Sequence, residues 1–105
     1  MILTVTLNTS IDRVYIVENF KIGEVKRVKR AEYYAGGKGL NVAKVVAALG
    51  EDVLATGYIG GFAGKFIEQE LDRKGINHNF IRVPGETRSC INIIDEKTLI
   101  HTELL

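Results

Sequence analysis

Two apolar runs of strand length, Ile2-Leu3-Thr4-Val5-Thr6-Leu7 and Val53-Leu54-Ala55-Thr56-Gly57-Tyr58-Ile59, flank a segment whose periodicity changes from β-type to helical. Buried strands joined through a helix pair side by side in a parallel sheet, because only a crossover connection returns the chain in the same direction. The helical stretch, Leu40 to Leu49, is rich in alanine and valine and carries one charge, Lys44; Gly50 stops it. A helix so apolar on nearly every side is expected to be buried among other elements. After Gly60-Gly61 comes a second helix with Phe62, Phe66, Ile67 and Leu71 on one stripe and a Glu70–Lys74 pair at i,i+4; Gly75 ends it. Asn79 to Val83 predicts a third strand. Pro84-Gly85 turns the chain, and Arg88 to Ile94 with Leu99 to Leu104 predicts a hairpin around Asp95-Glu96-Lys97. Between the first strand and the first helix lie short half-polar β stretches, Val14 to Val17, Val25 to Val28 and Glu32 to Tyr34, punctuated by Asn19 and Gly23. The fold class is therefore α/β, a βαβαβ core with a β insertion.

A chain of 105 residues makes one domain, and its 46% hydrophobic and 26% charged residues are an ordinary globular balance. The net charge of +1 gives no electrostatic case for a nucleic acid or a membrane surface as partner. One cysteine, Cys90, excludes an internal disulfide and fits a reducing compartment. No apolar run approaches the roughly 20 residues of a bilayer span. The start, Met1 to Leu7, alternates like a strand and lacks a basic n-region, so a cytoplasmic location is expected. His78 and His101 have no ligand spacing, and no metal site is expected. Leu104-Leu105 closes a strand-like stretch without a cap, and a three-stranded parallel sheet leaves an open edge. The expectation is a truncated domain or a module that leans on a partner.

The segment that carries chemistry is Ala35-Gly36-Gly37-Lys38-Gly39-Leu40-Asn41, taken with Thr9-Ser10-Ile11-Asp12 at the exit of the first strand. It is not a Walker A loop: Gly39 follows Gly37-Lys38, and Glu32 stands where the first glycine belongs. The dinucleotide pattern fails as well, because Gly57, Gly60, Gly61 and Gly64 are wrongly spaced. What remains is a tight turn whose amides can approach a ligand at the positive end of a helix dipole. Close strand-to-helix packing is the plainer use of such glycines. Asp12 is either a turn residue or an acceptor for two vicinal hydroxyls, and Asn41 is either solvated or a hydroxyl partner from the first helical turn. Lys38 and Arg88 are either surface cations or phosphate ligands. Cys90, in an apolar strand, reads as a packed side chain. Lys26-Arg27-Val28-Lys29-Arg30 has no interleaved aromatics and reads as a solvated strand edge.

Four ordered motifs carry a resemblance over the whole chain: Thr4 to Asp12, Gly36-Gly37-Lys38-Gly39-Leu40-Asn41-Val42-Ala43, Gly57-Tyr58-Ile59-Gly60-Gly61-Phe62-Ala63-Gly64, and Gly85-Glu86-Thr87-Arg88. Together they resemble the N-terminal third of PfkB (ribokinase-like) carbohydrate kinases, in the branch of 1-phosphofructokinases and tagatose-6-phosphate kinases. Thr9 stands where that branch often has proline, which is expected only to loosen the turn.

The resemblance implies the N-terminal part of a ribokinase-like fold: a three-layer core and a small β lid, its strands within residues 13–34 and 88–105. It implies ATP-dependent phosphorylation of a ketohexose phosphate, with magnesium. Asp12 would hold sugar hydroxyls, Gly37, Lys38 and Asn41 would line the sugar site, and Arg88 would bind the substrate's phosphate beside Cys90 and Asn92. Arg27 would reach a neighbouring subunit's site in a homodimer formed through the lid. The family's catalytic aspartate sits in a G-A-G-D-type motif with the nucleotide pocket, and these 105 residues contain no such motif. The chain alone is therefore expected to bind substrate without turning it over. Two other readings stay open: a non-catalytic sugar-phosphate-binding or dimerisation module, and a ribose or nucleoside kinase branch, against which Arg88 argues.

Overall fold

The computed structural model describes residues 1–105, which form eight strands and two helices arranged as two sheets. The first sheet is parallel. Its strand β1 (Ile2–Thr6) pairs with β4 (Val53–Ile59), which pairs in turn with two short strands, β5 (Asn77–His78) and β6 (Ile81–Arg82). Helix α1 (Lys38–Ala48) leads into β4, and α2 (Gly61–Arg73) leads from β4 to β5. Val53, Ala55 and Ile59 alternate on one face of β4, and one core cluster joins them to Leu40 and Ala43 of α1 and to Ile67 and Leu71 of α2. Both helices therefore cover the same face. The opposite face, with Leu3, Val5 and Tyr58, is exposed.

The second sheet has the order β3-β2-β7-β8, built from β2 (Ser10–Val17), β3 (Arg30–Gly36), β7 (Arg88–Asp95) and β8 (His101–Leu104). Strands β2 and β7 are parallel and the outer pairs antiparallel, so the insertion and the C-terminal hairpin become one surface. This sheet reaches beyond residues 13–34, from Ser10 to Gly36. The radius of gyration, 15.5 Å, exceeds the ~13 Å of a compact chain of this length because the second sheet projects from the first layer.

Several expectations change. The run Val25 to Val28 is not a strand; residues 18–29 form a loop in which Ile22 and Val25 are 97% and 96% exposed. Positive φ angles at Asn19 and Gly23 bend it away from any partner strand. Its basic residues are consequently on a loop, where Lys29 pairs with Glu18 at 3.2 Å and Glu96 at 2.9 Å. Strand β1 buries only Thr4 and Thr6, and α1 buries only Leu40 and Ala43 while Val42 and Val45 face outward. In α2 the buried stripe is Ala63, Ile67, Glu70 and Leu71; Phe62, in the first turn, overhangs the core and is exposed. The third strand divides in two around Asn79, whose carbonyl accepts from the Thr56 hydroxyl at 2.6 Å.

Thr9 does more than loosen its turn. It is buried, and its hydroxyl donates to the Tyr58 carbonyl at 2.7 Å, fastening the exit of β1 to β4. No helix is long and apolar enough to cross a membrane.

Candidate functional site

The strand register decides which side chains meet. Ser10, Asp12 and Val14 of β2 lie opposite Arg88, Cys90 and Asn92 of β7, and alternate residues of a strand share a face. Tyr34 of β3 is the partner of Asp12, and Glu103 of β8 is the partner of Asn92. These residues form one wall of a cavity of about 550 Å³, and Gly37, Lys38 and Asn41 at the start of α1 form the other.

Seven of the eight expected residues come together here: Asp12, Gly37, Lys38, Asn41, Arg88, Cys90 and Asn92. Arg27 does not. It lies on the exposed loop, in a separate hollow with Glu18, Lys26 and Lys29. Cys90 is half-buried in the cavity wall, and its sulfur accepts from the Arg88 guanidinium at 3.0 Å, so it is not simply a packed core residue.

Four polar residues of the wall escaped the sequence reading. Ser10 was legible from its alternation with Asp12; its hydroxyl donates to Asp12 Oδ1 at 2.7 Å and orients that carboxylate. Tyr34 and Glu103 reach the cavity through cross-strand pairing, which leaves no local signal. Arg13 also borders it, but its guanidinium lies on the other face of the sheet, 5.3 Å from the centre of the Tyr33 ring. The Tyr34 hydroxyl donates to Glu32, which holds the Glu32 carboxyl below its usual range and raises the Tyr34 phenol.

Two backbone features make the glycine turn. Gly36 lies against Asp12, so that a Cβ there would sit 2.3 Å from Oδ2. Gly37, the N-cap of α1, has φ +120°, a region that residues with a Cβ rarely adopt. No side chain caps this helix and no acidic residue lies in its first turn. The leading amides of α1 therefore face the cavity with Lys38 and without a competing carboxylate cap. On the other wall, Asn92 Oδ1 is buried without a hydrogen-bond partner.

A second cavity of about 350 Å³ opens on the far side of the same turn. It shares Gly37, Lys38 and Arg88 with the first and is otherwise bounded by Val5 to Asn8 and Gly39. No group of three His, Cys, Asp or Glu side chains forms a metal-holding cluster.

Converging hydroxyl partners and cations on one side of an open helix start define a small polar-ligand site on an α/β scaffold. The pfkB family carbohydrate kinase model matches residues 3–103, and the chain belongs to that family. A protein of Staphylococcus aureus assigned as a phosphofructokinase is similar at 41% identity with a TM-score of 0.88, over 98% of this chain and 33% of that one. A protein of Thermotoga maritima assigned as a 1-phosphofructokinase is similar at 40% identity with a TM-score of 0.88, over 99% and 34%. Phosphofructokinase-2 of Escherichia coli, solved with fructose 6-phosphate, shares the fold at 24% identity with a TM-score of 0.93, over 99% and 34%. The chain thus spans about a third of the length of each.

Proposed function

We propose that this chain forms the sugar-phosphate side of a hexose-phosphate kinase acting on fructose 1-phosphate or tagatose 6-phosphate. The observation that carries the reading is the sorting of the cavity wall. Asp12, Asn41 and Asn92 offer hydroxyl partners, while Lys38 and Arg88 offer cations for a phosphate the substrate already bears. A substrate without a phosphate would leave Arg88 without a task.

In this reading Asp12, aligned by Ser10, accepts from two sugar hydroxyls, and Asn92 borders the same cavity from the neighbouring strand. ATP supplies the phosphoryl group when bound. The nucleotide pocket belongs with the G-A-G-D-type motif that these residues lack, so Lys38 and Arg88 are left to the phosphate of the sugar. No cluster of three His, Cys, Asp or Glu side chains is present, so the residues here do not fit magnesium by themselves. With no G-A-G-D-type motif in its sequence, this chain binds and orients the sugar phosphate but does not transfer a phosphoryl group by itself. Arg27 lies outside its own cavity, on the loop that also exposes Ile22 and Val25, which supports a homodimer in which the loop of one copy reaches the site of the other.

Calorimetric titration with fructose 1-phosphate and with tagatose 6-phosphate tests the reading. Saturable one-site binding, weakened at least tenfold in Arg88→Ala, is expected, and the tighter ligand identifies the branch. Equal affinity in Arg88→Ala, or no binding by a folded chain, overturns it. Sedimentation of the wild type and of Arg27→Ala separates the dimer from the site: the wild type should sediment as a dimer.

A further inference from the structure

Ala35 is the penultimate residue of β3, next to the glycine turn, and its main chain is held in an unusual way. Strand β3 is an edge strand, so the outer side of its backbone has no strand to pair with. Ala35 is fully buried, and an unpaired amide or carbonyl there would be costly. Two side chains resolve the problem from two different helices. The Ala35 amide donates to Glu70 of α2, and the Ala35 carbonyl accepts from the Lys44 ammonium of α1. The two side chains also face each other, Lys44 Nζ lying 3.7 Å from Glu70 Oε1, and Lys74 Nζ approaches the same oxygen at 3.9 Å from the surface.

Glu70 is only 4% exposed, and neither it nor Lys44 lines the sugar-side cavity. A buried ion pair is a weak device for stability, since apolar residues of similar volume often serve as well. Apolar residues there would leave both main-chain groups of Ala35 without partners. The spacing is also favourable: two residues along β3 and four along α2 both advance about 6 Å, so Tyr33 meets Phe66 just as Ala35 meets Glu70.

We propose that Glu70 and Lys44 are positioning residues for the glycine turn. They hold Ala35 at both ends of its backbone and thereby set where Gly36, Gly37 and Lys38 present themselves to the ligand. The inference rests on the sugar-phosphate reading for its binding arm only. A residue that merely stabilised the fold would lower the melting temperature and leave the affinity of the folded chain unchanged. A positioning pair changes that affinity.

The experiment uses the 105-residue chain, its Glu70→Gln and Lys44→Met variants and the double variant. Each is titrated with fructose 1-phosphate at a temperature where it is fully folded, and amide spectra are recorded without ligand. Each single variant should bind about tenfold more weakly, and the double variant no more weakly than the worse single one. The Ala35 amide proton should move upfield in Glu70→Gln, and the amides of Gly36 to Gly39 should shift in both single variants. Unchanged affinity in the folded variants, or glycine-turn amides that stay in place, overturns the proposal. If the wild type binds no sugar phosphate, the functional reading fails, and the amide shifts alone decide for or against the positioning pair.

Discussion

The molecule contains two glycine-rich turns that lead a strand into a helix, and they end differently. Gly60-Gly61 starts α2, whose leading amides are occupied: Glu86 accepts from Phe62 at 3.2 Å and from Ala63 at 2.6 Å. Thr87 closes the same corner, its hydroxyl accepting from the Gly60 amide at 2.9 Å. Gly36-Gly37 starts α1, which has neither a side-chain cap nor an acidic residue in its first turn, and a cation, Lys38, stands there instead. One helix start is filled by the protein and the other faces a cavity. Similar local sequence thus serves structure in one place and a ligand in the other, and a carboxylate from a distant turn makes the difference. The filled corner also serves the open one indirectly, because Glu86 and Thr87 anchor the turn from which Arg88 extends.

The largest expected effect comes from closing the open start. Gly36→Ala places a methyl against the Asp12 carboxylate, 2.3 Å from Oδ2, so Asp12 must leave its present position. We expect ~100-fold weaker sugar-phosphate binding, about 2.7 kcal/mol, by calorimetry. Wild-type affinity in a folded Gly36→Ala chain would show that this turn is not the binding turn.

Emptying the filled start is the reciprocal test. Glu86→Ala exposes the two amides of α2 and should cost about 1–2 kcal/mol of stability in urea unfolding, the range of a lost N-cap. Its sugar-phosphate affinity should stay within about threefold if Thr87 keeps the turn in place. A large loss of affinity without a loss of stability would reverse the roles assigned to the two corners.

A carboxylate added to the open start should improve the fold and harm the site. Lys38→Glu puts an acid in the first turn of α1 and should raise stability by about 0.3–1 kcal/mol at low salt, with sugar-phosphate binding weakened, though by less than in Gly36→Ala. If stability falls instead, Lys38 has a structural role that its exposed position does not reveal.

The smallest effect concerns a third place where a carboxylate occupies backbone amides. Burial opposes ionisation of Asp95 and would raise its carboxyl, but amides of Phe20, Lys97, Asn19 and Thr98 hold it down to about 2. A lowered pKa in the folded state means stability that is present above the ordinary value of 3.8 and lost as pH falls through about 2. Wild-type stability should therefore decline between roughly pH 4 and pH 2 more than that of Asp95→Asn, which lacks this titration. Parallel declines in acid titrations of the two chains would show that the clamp between the 18–29 loop and the β7–β8 turn is dispensable.

Much of the first layer was legible because its signals are local. Alternation, helical stripes and the stop glycines Gly50 and Gly75 placed both helices and β4, and four ordered motifs pointed to the family. The errors share a cause. Apolarity promised burial for Leu3, Val5, Val42 and Phe62, yet burial needs a neighbouring layer, and this chain supplies one on only one face of the first sheet. Val25 to Val28 has strand-like composition, but a strand needs a partner edge, and none meets it. At the site, Asp12, Lys38, Asn41 and Arg88 stood out through chemistry at strand and helix ends, whereas Tyr34 and Glu103 entered through register alone.

By itself the sequence determined the residue types the site has to work with, the glycine turn that lets amides approach a ligand, and the order of strands and helices. These follow from short-range sterics and periodicity, which each segment carries with it. Only the tertiary structure decided that the insertion and the C-terminal hairpin make one sheet, that Glu86 fills α2 while α1 stays open, and that Glu70 and Lys44 hold Ala35. Each of those outcomes depends on partners far apart in the chain, and the unmet hydrogen-bonding need of a buried or exposed backbone group is settled only when the layers meet.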